Sequence, residues 1–293
     1  MQTIRAILLM ILSMALLALS DLFIKLASLT APVGQIMLFL SLGGTLLFIA
    51  YARATGQRIW LPDVWHPLVM LRNFFEMIAG VSMVIGIANI PLTTFAAIMQ
   101  VAPILVVLGG AVFLKEQVGW RRWAAVMAGL TGMLIVIRPW GDAFSPFVIF
   151  AVVGVSALAG RDLITRLAPA QVPAIALSTW GFCSTIPPGL IFLVWQGGDV
   201  SMAPLTLLHI LLAIFVTTSG YFPITVAMRM APVSIVAPFR YTRLVFTTGL
   251  GLMFLGETLD RPTMIGAAII LCAGLYTFLR ERRLALQADA SLG

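Results

Sequence analysis

The feature that most constrains this chain is a series of ten long apolar runs that together fill most of its length. About 20 consecutive apolar residues cross a bilayer as a helix, and lipid tolerates only helices or closed barrels. The runs are continuous and lack the alternation of barrel strands, so they predict ten membrane-spanning helices, called spans 1 to 10 here. They lie at residues 4–28, 32–52, 67–89, 92–114, 121–138, 145–167, 173–195, 204–228, 233–255 and 261–280.

The amino-acid composition indicates the same class of protein. Of the 293 residues, 61% are hydrophobic and 10% are charged, against about 45–50% and about 25% in soluble domains. So few charged residues cannot cover the surface of a soluble protein of this size. We therefore predict an all-α polytopic membrane protein, and we exclude a disordered chain, a disulfide scaffold and a soluble enzyme.

The basic residues are unevenly distributed between the two ends of the spans. Cytoplasmic loops of membrane proteins carry an excess of lysine and arginine. If the N-terminus is cytoplasmic, the cytoplasmic side carries twelve basic residues and the outer side three. We therefore expect a bacterial-type inner-membrane protein with both termini in the cytoplasm, and we attribute the net charge of +7 to anionic lipid and not to nucleic acid. The twelve are Arg5, Arg53, Arg58, Arg72, Lys115, Arg121, Arg122, Arg166, Arg229, Arg280, Arg282 and Arg283, and the three are Lys25, Arg138 and Arg261.

The sequence repeats itself at a constant offset of 141 residues. Matches of aspartate, proline and glutamate at one offset are informative, whereas matches of leucine are common in membrane helices. Each copy holds five spans, so we predict a first repeat at 1–141, a second at 142–282 and a cytoplasmic tail at 283–293. Because five is odd, the second copy is inverted in the membrane. The matching pairs include Asp21 with Asp162, Pro32 with Pro173, Pro91 with Pro232, and Glu116 with Glu257.

This inverted repeat favours a transport function. Secondary transporters place their substrate near the midplane, between two inverted copies. Two such copies allow two nearly equivalent states, each open to one side of the membrane. A duplication retained only for packing is the alternative. We therefore predict an alternating-access carrier, for which a monomer is sufficient and a dimer is possible.

Five short segments carry a further indication: Asp21–Lys25, Pro91–Thr94, Phe113–Glu116, Gly129–Gly132 and Phe254–Glu257. With them, residues 4–280 resemble the ten-helix EamA-type branch of the drug/metabolite transporter superfamily. The resemblance implies a cavity lined by spans 1, 3, 4, 6, 8 and 9, and export of small metabolites, with amino acids, including aromatic ones, as frequent cargo.

Two other stretches leave a different cargo open. Leu71–Arg72 and Ala237–Tyr241 also resemble S-adenosylmethionine and acylcarnitine-type carriers, so a metabolite exchanger of that kind is the alternative. A lipid flippase is a second alternative, because a polar cavity between inverted repeats would suit it too.

Six ionisable residues lie inside the predicted spans. Each costs roughly 2.5–3.5 kcal/mol at the centre of a helix on insertion scales. Three are acids and three are bases, which indicates pairing in the interior of the bundle. Structural ion pairs that hold helices together are the alternative to a functional role. The six are Asp21, Glu76, Arg161, Asp162, Arg240 and Arg243.

A substrate-binding set can be predicted from these charges and their neighbours. Arg240 and Arg243 share one helical face and are predicted to hold a carboxylate, while Glu76 holds an ammonium, which together suit a zwitterionic amino acid. The alternative is that Glu76 neutralises Arg243, and both arrangements can occur in alternate states. The set is completed by Gln100, Tyr221 and Tyr241, whose alternative role is helix–helix contact.

The remaining charged residues predict gates. Asp21 lies in the outer third of span 1 with Lys25 one turn further on, whereas Arg161 and Asp162 lie in the cytoplasmic third of span 6. Acid–base pairs therefore stand near opposite faces of the membrane. We interpret them as parts of an outer and an inner gate.

Spans 4 and 9, which are repeat counterparts, contain the predicted hinges. Pro103 and Pro238 lie within them, and a proline removes a backbone hydrogen bond from a helix. Glu116 and Glu257 follow the same two spans. We expect these glutamates to accept hydrogen bonds from the first N–H groups of spans 5 and 10.

No enzyme signature is found in the sequence. It lacks HExxH and GxSxG motifs and a Cys/His cluster of the kind that binds zinc, so we predict no catalytic residue, metal or cofactor. No Walker motif is present, so this chain alone is not expected to use ATP. Proton uptake by a buried acid such as Glu76 could couple export to a proton gradient, and uniport or exchange fits equally well.

Overall fold

The computed structural model of the chain is a bundle of membrane-length helices. It describes residues 2–113, 115, 119–139, 144–165, 167–169, 171–197, 199–230 and 237–292. Within these ranges all regular structure is helical, and eight helices are long and apolar enough to cross a membrane. The predicted fold class, an all-α membrane protein with ten spans in two inverted five-helix repeats, is confirmed.

Most spans are single helices close to their predicted limits. Spans 4 and 7 each consist of two shorter helices, span 9 begins with a 3-10 helix, and the helix of span 10 continues through the predicted tail. The helices of spans 1 to 10 are Gln2–Ser28, Val33–Ala54, Pro67–Asn89, Leu92–Met99 with Ala102–Phe113, Trp120–Ile137, Val148–Thr165, Ala174–Ser184 with Ile186–Trp195, Pro204–Met230, Thr242–Phe254 and Arg261–Leu292, and the 3-10 helices are Pro62–Trp65 and Ala237–Tyr241.

Prolines define where several helices begin. Pro32, Pro91 and Pro173 each occupy the position before the first helical residue, with ψ between 140° and 149°. The fixed φ of proline suits this position, and proline has no N–H that would remain unpaired there. Pro32 and Pro173 are repeat counterparts, so spans 2 and 7 begin in the same way.

The interruption of span 4 lies at Gln100 and Val101. Their N–H groups donate to carbonyls only three residues back, at 3.2 Å and 3.0 Å, which tightens the turn. Pro103 follows directly and cannot donate to the carbonyl of Met99. The first helix therefore ends at Met99, before the second begins.

Span 9 is irregular at the repeat-equivalent position. Its 3-10 helix ends at Tyr241 and its α-helix begins at Thr242, and these two residues are the counterparts of Gln100 and Val101. Pro238 lies within the 3-10 helix, and residues 231–236 lie outside the described part of the chain. Discontinuous helices at equivalent points of two inverted copies are a feature of secondary transporters.

The packing of the spans follows the inverted repeat. Span 1 packs against span 8 and span 3 against span 6, and the repeat exchanges these two pairings. Spans 2 and 7, 4 and 9, and 5 and 10 each pack against their own counterparts. The core between them is filled by large buried side chains such as Phe95, Ile98 and Ile104.

Side-chain contacts between spans 2 and 7 show the same symmetry. The hydroxyl oxygens of Ser41 and Thr185 are 2.6 Å apart, and Gly44 faces the ring of Phe182. Phe182 is the repeat counterpart of Ser41, and Thr185 is the counterpart of Gly44. The repeat therefore exchanges these two contacts.

Spans 5 and 10 approach each other through glycine. A Cβ atom at Gly132 would lie 2.8 Å from the carbonyl oxygen of Gly266, and one at Gly266 would lie 2.6 Å from that of Gly132. Any side chain at either position would therefore separate the helices. Small residues allow this close backbone contact in membrane proteins.

Candidate functional site

A central cavity of about 190 Å³ lies between the two repeats. All six spans implied by the family resemblance line it, and spans 2 and 7 contribute as well. Most of its lining side chains are apolar. Nine of the predicted site residues lie on its wall: Asp21, Glu76, Gln100, Pro103, Arg161, Tyr221, Arg240, Tyr241 and Arg243.

Glu76 is held by two arginines on the cavity wall. Its carboxylate lies 2.6 Å from the Arg72 guanidinium, on the same helix, and 3.1 Å from that of Arg161 in span 6. The Tyr221 hydroxyl lies 3.4 Å from Glu76 Oε1. The alternative in which Glu76 neutralises Arg243 is not seen in this structure, because Glu76 pairs with arginines of spans 3 and 6 and Arg243 pairs with Asp21.

Arg72 is a residue whose role the sequence reasoning missed. From the sequence it is counted only among the basic residues of the cytoplasmic side, but it is buried in span 3 and its Nη1 donates to the carbonyl of Leu177, at 2.7 Å. Its position four residues before Glu76, inside the apolar run 67–89, is the signal that could have identified it, because residues at this spacing face each other on a helix.

Asp21 in span 1 pairs with Arg243 in span 9. Arg243 donates to both carboxylate oxygens at 2.7, 2.9 and 3.1 Å, and the Thr247 hydroxyl lies 3.5 Å from one of them. The expected pairing of Asp21 with Lys25 is wrong. Lys25 does not line the cavity and donates to the carbonyls of Ala88 and Ile90.

Asp162 is not among the residues that line the cavity, but it contacts two arginines that do, Arg161 and Arg240. Arg161 donates to its Oδ1 at 2.6 Å and 3.0 Å, as the predicted gate pairing requires. Arg240 Nη2 lies 3.8 Å from Asp162 Oδ2, a distance too long for a hydrogen bond. Among the four arginines of these contacts, Arg240 has the most exposed side chain, at 36%.

These contacts form two groups of charges, together called the charged network below: one group joins Arg72, Glu76, Arg161, Asp162 and Arg240, and the other is the separate pair of Asp21 and Arg243. The network consists of seven side chains from spans 1, 3, 6 and 9: Asp21, Arg72, Glu76, Arg161, Asp162, Arg240 and Arg243.

Gln100 marks the axis that relates the two repeats. Its Nε2 donates to the backbone carbonyl of Tyr241 at 3.0 Å, and Tyr241 is the repeat counterpart of Gln100. A residue can contact its counterpart only near the axis that exchanges them. The Tyr241 hydroxyl is directed elsewhere, against Gly274, and has no hydrogen-bond partner among the described residues.

The counterpart of the Glu76–Arg161 ion pair is uncharged. Glu76 corresponds to Thr217 and Arg161 to Ser20, and these two hydroxyls are hydrogen-bonded to each other. Span 3 therefore meets span 6 through charges where span 8 meets span 1 through hydroxyl groups. The two equivalent junctions beside the cavity differ in chemistry.

Glu257 has a different partner from the one expected. Its carboxylate accepts hydrogen bonds from the N–H groups of Leu92 at 2.5 Å and Thr93 at 2.9 Å, so it caps the start of span 4 and not of span 10. A negative charge at a helix N-terminus is stabilising. Its counterpart Glu116 lies outside the described residues.

Asp260 closes the loop between spans 9 and 10. Its carboxylate accepts from the N–H of Thr263 at 3.1 Å and pairs with Arg138. Partial burial raises the pKa of Asp260, but hydrogen bonds from Thr263 and Arg138 outweigh it and hold the pKa below its ordinary value. The ion pair of Asp260 with Arg138 lies away from the cavity lining.

Both halves of the chain match one protein family. The EamA-like transporter family matches residues 4–138 and again residues 145–279. The chain belongs to this family. Within the EamA-like transporter, the second match follows the first by 141 residues at both ends, the offset found in the sequence.

Curated relatives of this EamA-like transporter carry different cargoes. The pseudopaline exporter CntI of Pseudomonas aeruginosa is 30% identical over 256 residues, 85% of this chain and 87% of that protein. The S-adenosylmethionine uptake transporter of Rickettsia bellii is 26% identical over 239 residues, 80% and 79% of the two chains. The riboflavin transporter of Rhizobium johnstonii is 28% identical over 200 residues, 68% and 66%.

A solved crystal structure of a protein shares the fold. It superposes with a TM-score of 0.61 over 95% of this chain and 98% of its own, at 18% identity. Together with the family, this fold identifies the chain as a multi-pass membrane transporter of small molecules. Among the described residues, no group of three or more metal-ligating side chains is found.

Proposed function

We propose that this transporter exports amino acids, including aromatic and other hydrophobic ones, or closely related metabolites, from the cytoplasm by alternating access. The observation that carries the proposal is Arg240. Its guanidinium lines the cavity and stands 3.8 Å from the nearest carboxylate in the charged network. A guanidinium binds a carboxylate through two parallel hydrogen bonds, so Arg240 is suited to a cargo carboxylate.

The predicted partner of Arg240 in that role is already engaged. Arg243 donates to both oxygens of Asp21, so of these two arginines Arg240 is the one positioned to receive a carboxylate. Gln100, on the repeat axis beside it, offers its remaining amide oxygen to a cargo hydrogen-bond donor.

The rest of the cavity suits an apolar side chain. Met83, Val84 and Ile87 line it from span 3. The rings of Phe182 and Tyr221, which also line it, meet edge to face with centroids 5.7 Å apart. Aromatic rings prefer this arrangement, so a cargo ring can extend the cluster. Relatives that carry S-adenosylmethionine favour that metabolite as the second candidate.

Counterflow in proteoliposomes tests the proposal. Purified protein is reconstituted, the vesicles are preloaded with single members of an amino-acid panel or with S-adenosylmethionine, and uptake of labelled compound is measured. We expect hydrophobic amino acids to stimulate uptake, and Arg240→Gln to abolish the stimulation. Arg138→Gln, which removes an arginine outside the cavity, is the matched control. No stimulation by any amino acid would contradict amino-acid transport.

A further inference from the structure

Every acid of the charged network already has a close cationic partner. Asp21 has a side chain only 4% exposed and faces Arg243. Glu76 lies between Arg72 and Arg161, with the shorter contact at 2.6 Å. Asp162 is bonded to Arg161 as well. An ammonium group entering the cavity would have to displace a guanidinium from one of these carboxylates.

The arginines of the network are not all paired as closely as its carboxylates are. The network contains four arginines and three carboxylates, so it carries one positive charge in excess. Arginine stays protonated in proteins, and protonation of any of the acids would increase the excess. The excess charge is located at Arg240, which has the longest ion contact and the most exposed guanidinium of the four.

We infer that this site recognises its cargo through the carboxylate alone and that its described acids leave no carboxylate for an ammonium, so that a monoanion with an uncharged nitrogen, or with none, binds at least as well as a zwitterionic amino acid. N-acylated amino acids and apolar monocarboxylic acids are the chemical class that fits. The inference rests on the proposed function, because it takes Arg240 as the carboxylate-binding group, and it narrows the form in which the cargo binds.

The electrostatic reason is the difference between the two ends of an amino acid. A carboxylate at Arg240 neutralises the one unmatched charge in a low-dielectric cavity, where such a charge is costly. An ammonium bound to Asp21 or Glu76 would release an arginine and leave a new unmatched charge. Neutral acceptors, such as the Gln100 amide and the Tyr241 carbonyl, suit an amide N–H as well as an amine.

Three compounds that share the phenylalanine side chain but differ in charge test whether the site recognises the carboxylate alone. Phenylalanine is a zwitterion, N-acetylphenylalanine is an anion and phenylalaninamide is a cation. Each is added as a competitor of labelled phenylalanine exchange in the proteoliposomes. We expect N-acetylphenylalanine to compete at least as well as phenylalanine, and phenylalaninamide to compete at least about tenfold less well, the loss of one charge-assisted contact.

A fourth competitor and two variants keep the test decisive. 3-Phenylpropionate has no nitrogen, so it reports on the carboxylate even if the acetyl group does not fit. Arg240→Gln should abolish the exchange, whereas Arg240→Lys, which keeps the positive charge, should retain the exchange and the preference for anions over the cation. Arg138→Gln should leave both unchanged. If Arg240→Gln does not fold, the wild-type competition series decides the question.

The inference and the proposed function fail in different ways. If phenylalanine exchanges but neither N-acetylphenylalanine nor 3-phenylpropionate competes, carboxylate-only recognition is wrong while amino-acid transport stands. Competition by phenylalaninamide as strong as that by phenylalanine would also overturn it. If none of the compounds exchanges or competes, both proposals fail.

Discussion

At the scale of single residues, the interior of this transporter is organised by the cost of buried charge. An ion pair that loses one partner leaves an uncompensated charge, which costs more than the pair contributes. The network therefore places at least one arginine close to each acid. The exception is the weakly matched Arg240, where we place the cargo.

Breaking the Asp21–Arg243 pair should destabilise the protein strongly. We expect Arg243→Gln to lower the free energy of unfolding by about 3–5 kcal/mol, since Asp21 stays buried without its cation. The double variant Asp21→Asn/Arg243→Gln should lose less. Unfolding in detergent, followed by circular dichroism, measures both.

The surface pair supplies the control for this experiment. Arg138 and Asp260 are partly exposed, at 29% and 42%, and such pairs contribute about 0–1 kcal/mol. Arg138→Gln should therefore have a small effect. An equal loss of unfolding free energy in Arg138→Gln and Arg243→Gln would contradict the larger contribution expected of the buried Asp21–Arg243 pair.

Proton coupling, if it uses Glu76, should depend on its carboxyl proton. We expect an outward-driving pH gradient to stimulate export in the wild type, and Glu76→Gln to remove the stimulation while exchange at equal pH continues. Glutamine keeps the shape but cannot carry the proton. Asp260→Asn, an acid away from the cavity, should behave as the wild type. Stimulation that persists in Glu76→Gln would exclude this residue as the coupling site.

At the scale of elements, the two breaks in spans 4 and 9 are the most informative feature. Both lie at the same point of the repeat, and Gln100 and Tyr241 connect them at the axis. A helix with a missing backbone hydrogen bond bends more easily than a continuous one. We propose that each half bends at its interruption during transport.

Replacing Pro103 should make span 4 stiffer. Pro103→Ala restores the N–H that can bond to the carbonyl of Met99, so the two helices can join. We expect slower turnover with little change in the substrate concentration at half-maximal rate, measured by initial rates of efflux. Pro204→Ala is the control, because a proline in the first helical position interrupts no bond. An unchanged turnover in Pro103→Ala would argue against hinging at this break.

At the scale of the whole molecule, the fold is two copies of a five-helix unit joined across a cavity, with different chemistry at equivalent junctions. The charged contact of Glu76 with Arg161 corresponds to the hydroxyl contact of Thr217 with Ser20. The two halves share a backbone plan but differ in the side chains that join these equivalent junctions. We expect the charge of the cargo to affect the contact of Glu76 with Arg161. We expect it to have no effect on the contact of Thr217 with Ser20.

The orientation of the chain in the membrane is open to a direct test. On a background of Cys183→Ser and Cys272→Ser, a single cysteine is introduced by Asp199→Cys, between spans 7 and 8, or by Gln57→Cys, between spans 2 and 3. An impermeant maleimide should label the first in intact cells and the second only after permeabilisation, as cytoplasmic termini require. The reverse pattern would place both termini outside.

Much of the fold could be predicted because it depends on consecutive residues. The limits of span 3, predicted at 67–89, agree with the helix Pro67–Asn89, since desolvation of an apolar run acts along the chain. Nine of the predicted site residues also line the cavity. The partners of Glu76 and Arg243 and the buried role of Arg72 could not be predicted, because hydropathy does not report which face of a helix meets which neighbour.

The sequence by itself determined the membrane class, the spans and the inverted repeat, since each follows from the apolar runs or from the constant offset of 141 residues. Only the tertiary structure decided which charges meet. Lateral packing brings Glu76 to Arg161, 85 residues away, and Asp21 to Arg243, 222 residues away. Such contacts depend on the rotation and depth of each helix in the bundle, and so does the weak pairing of Arg240, where we propose that cargo binds.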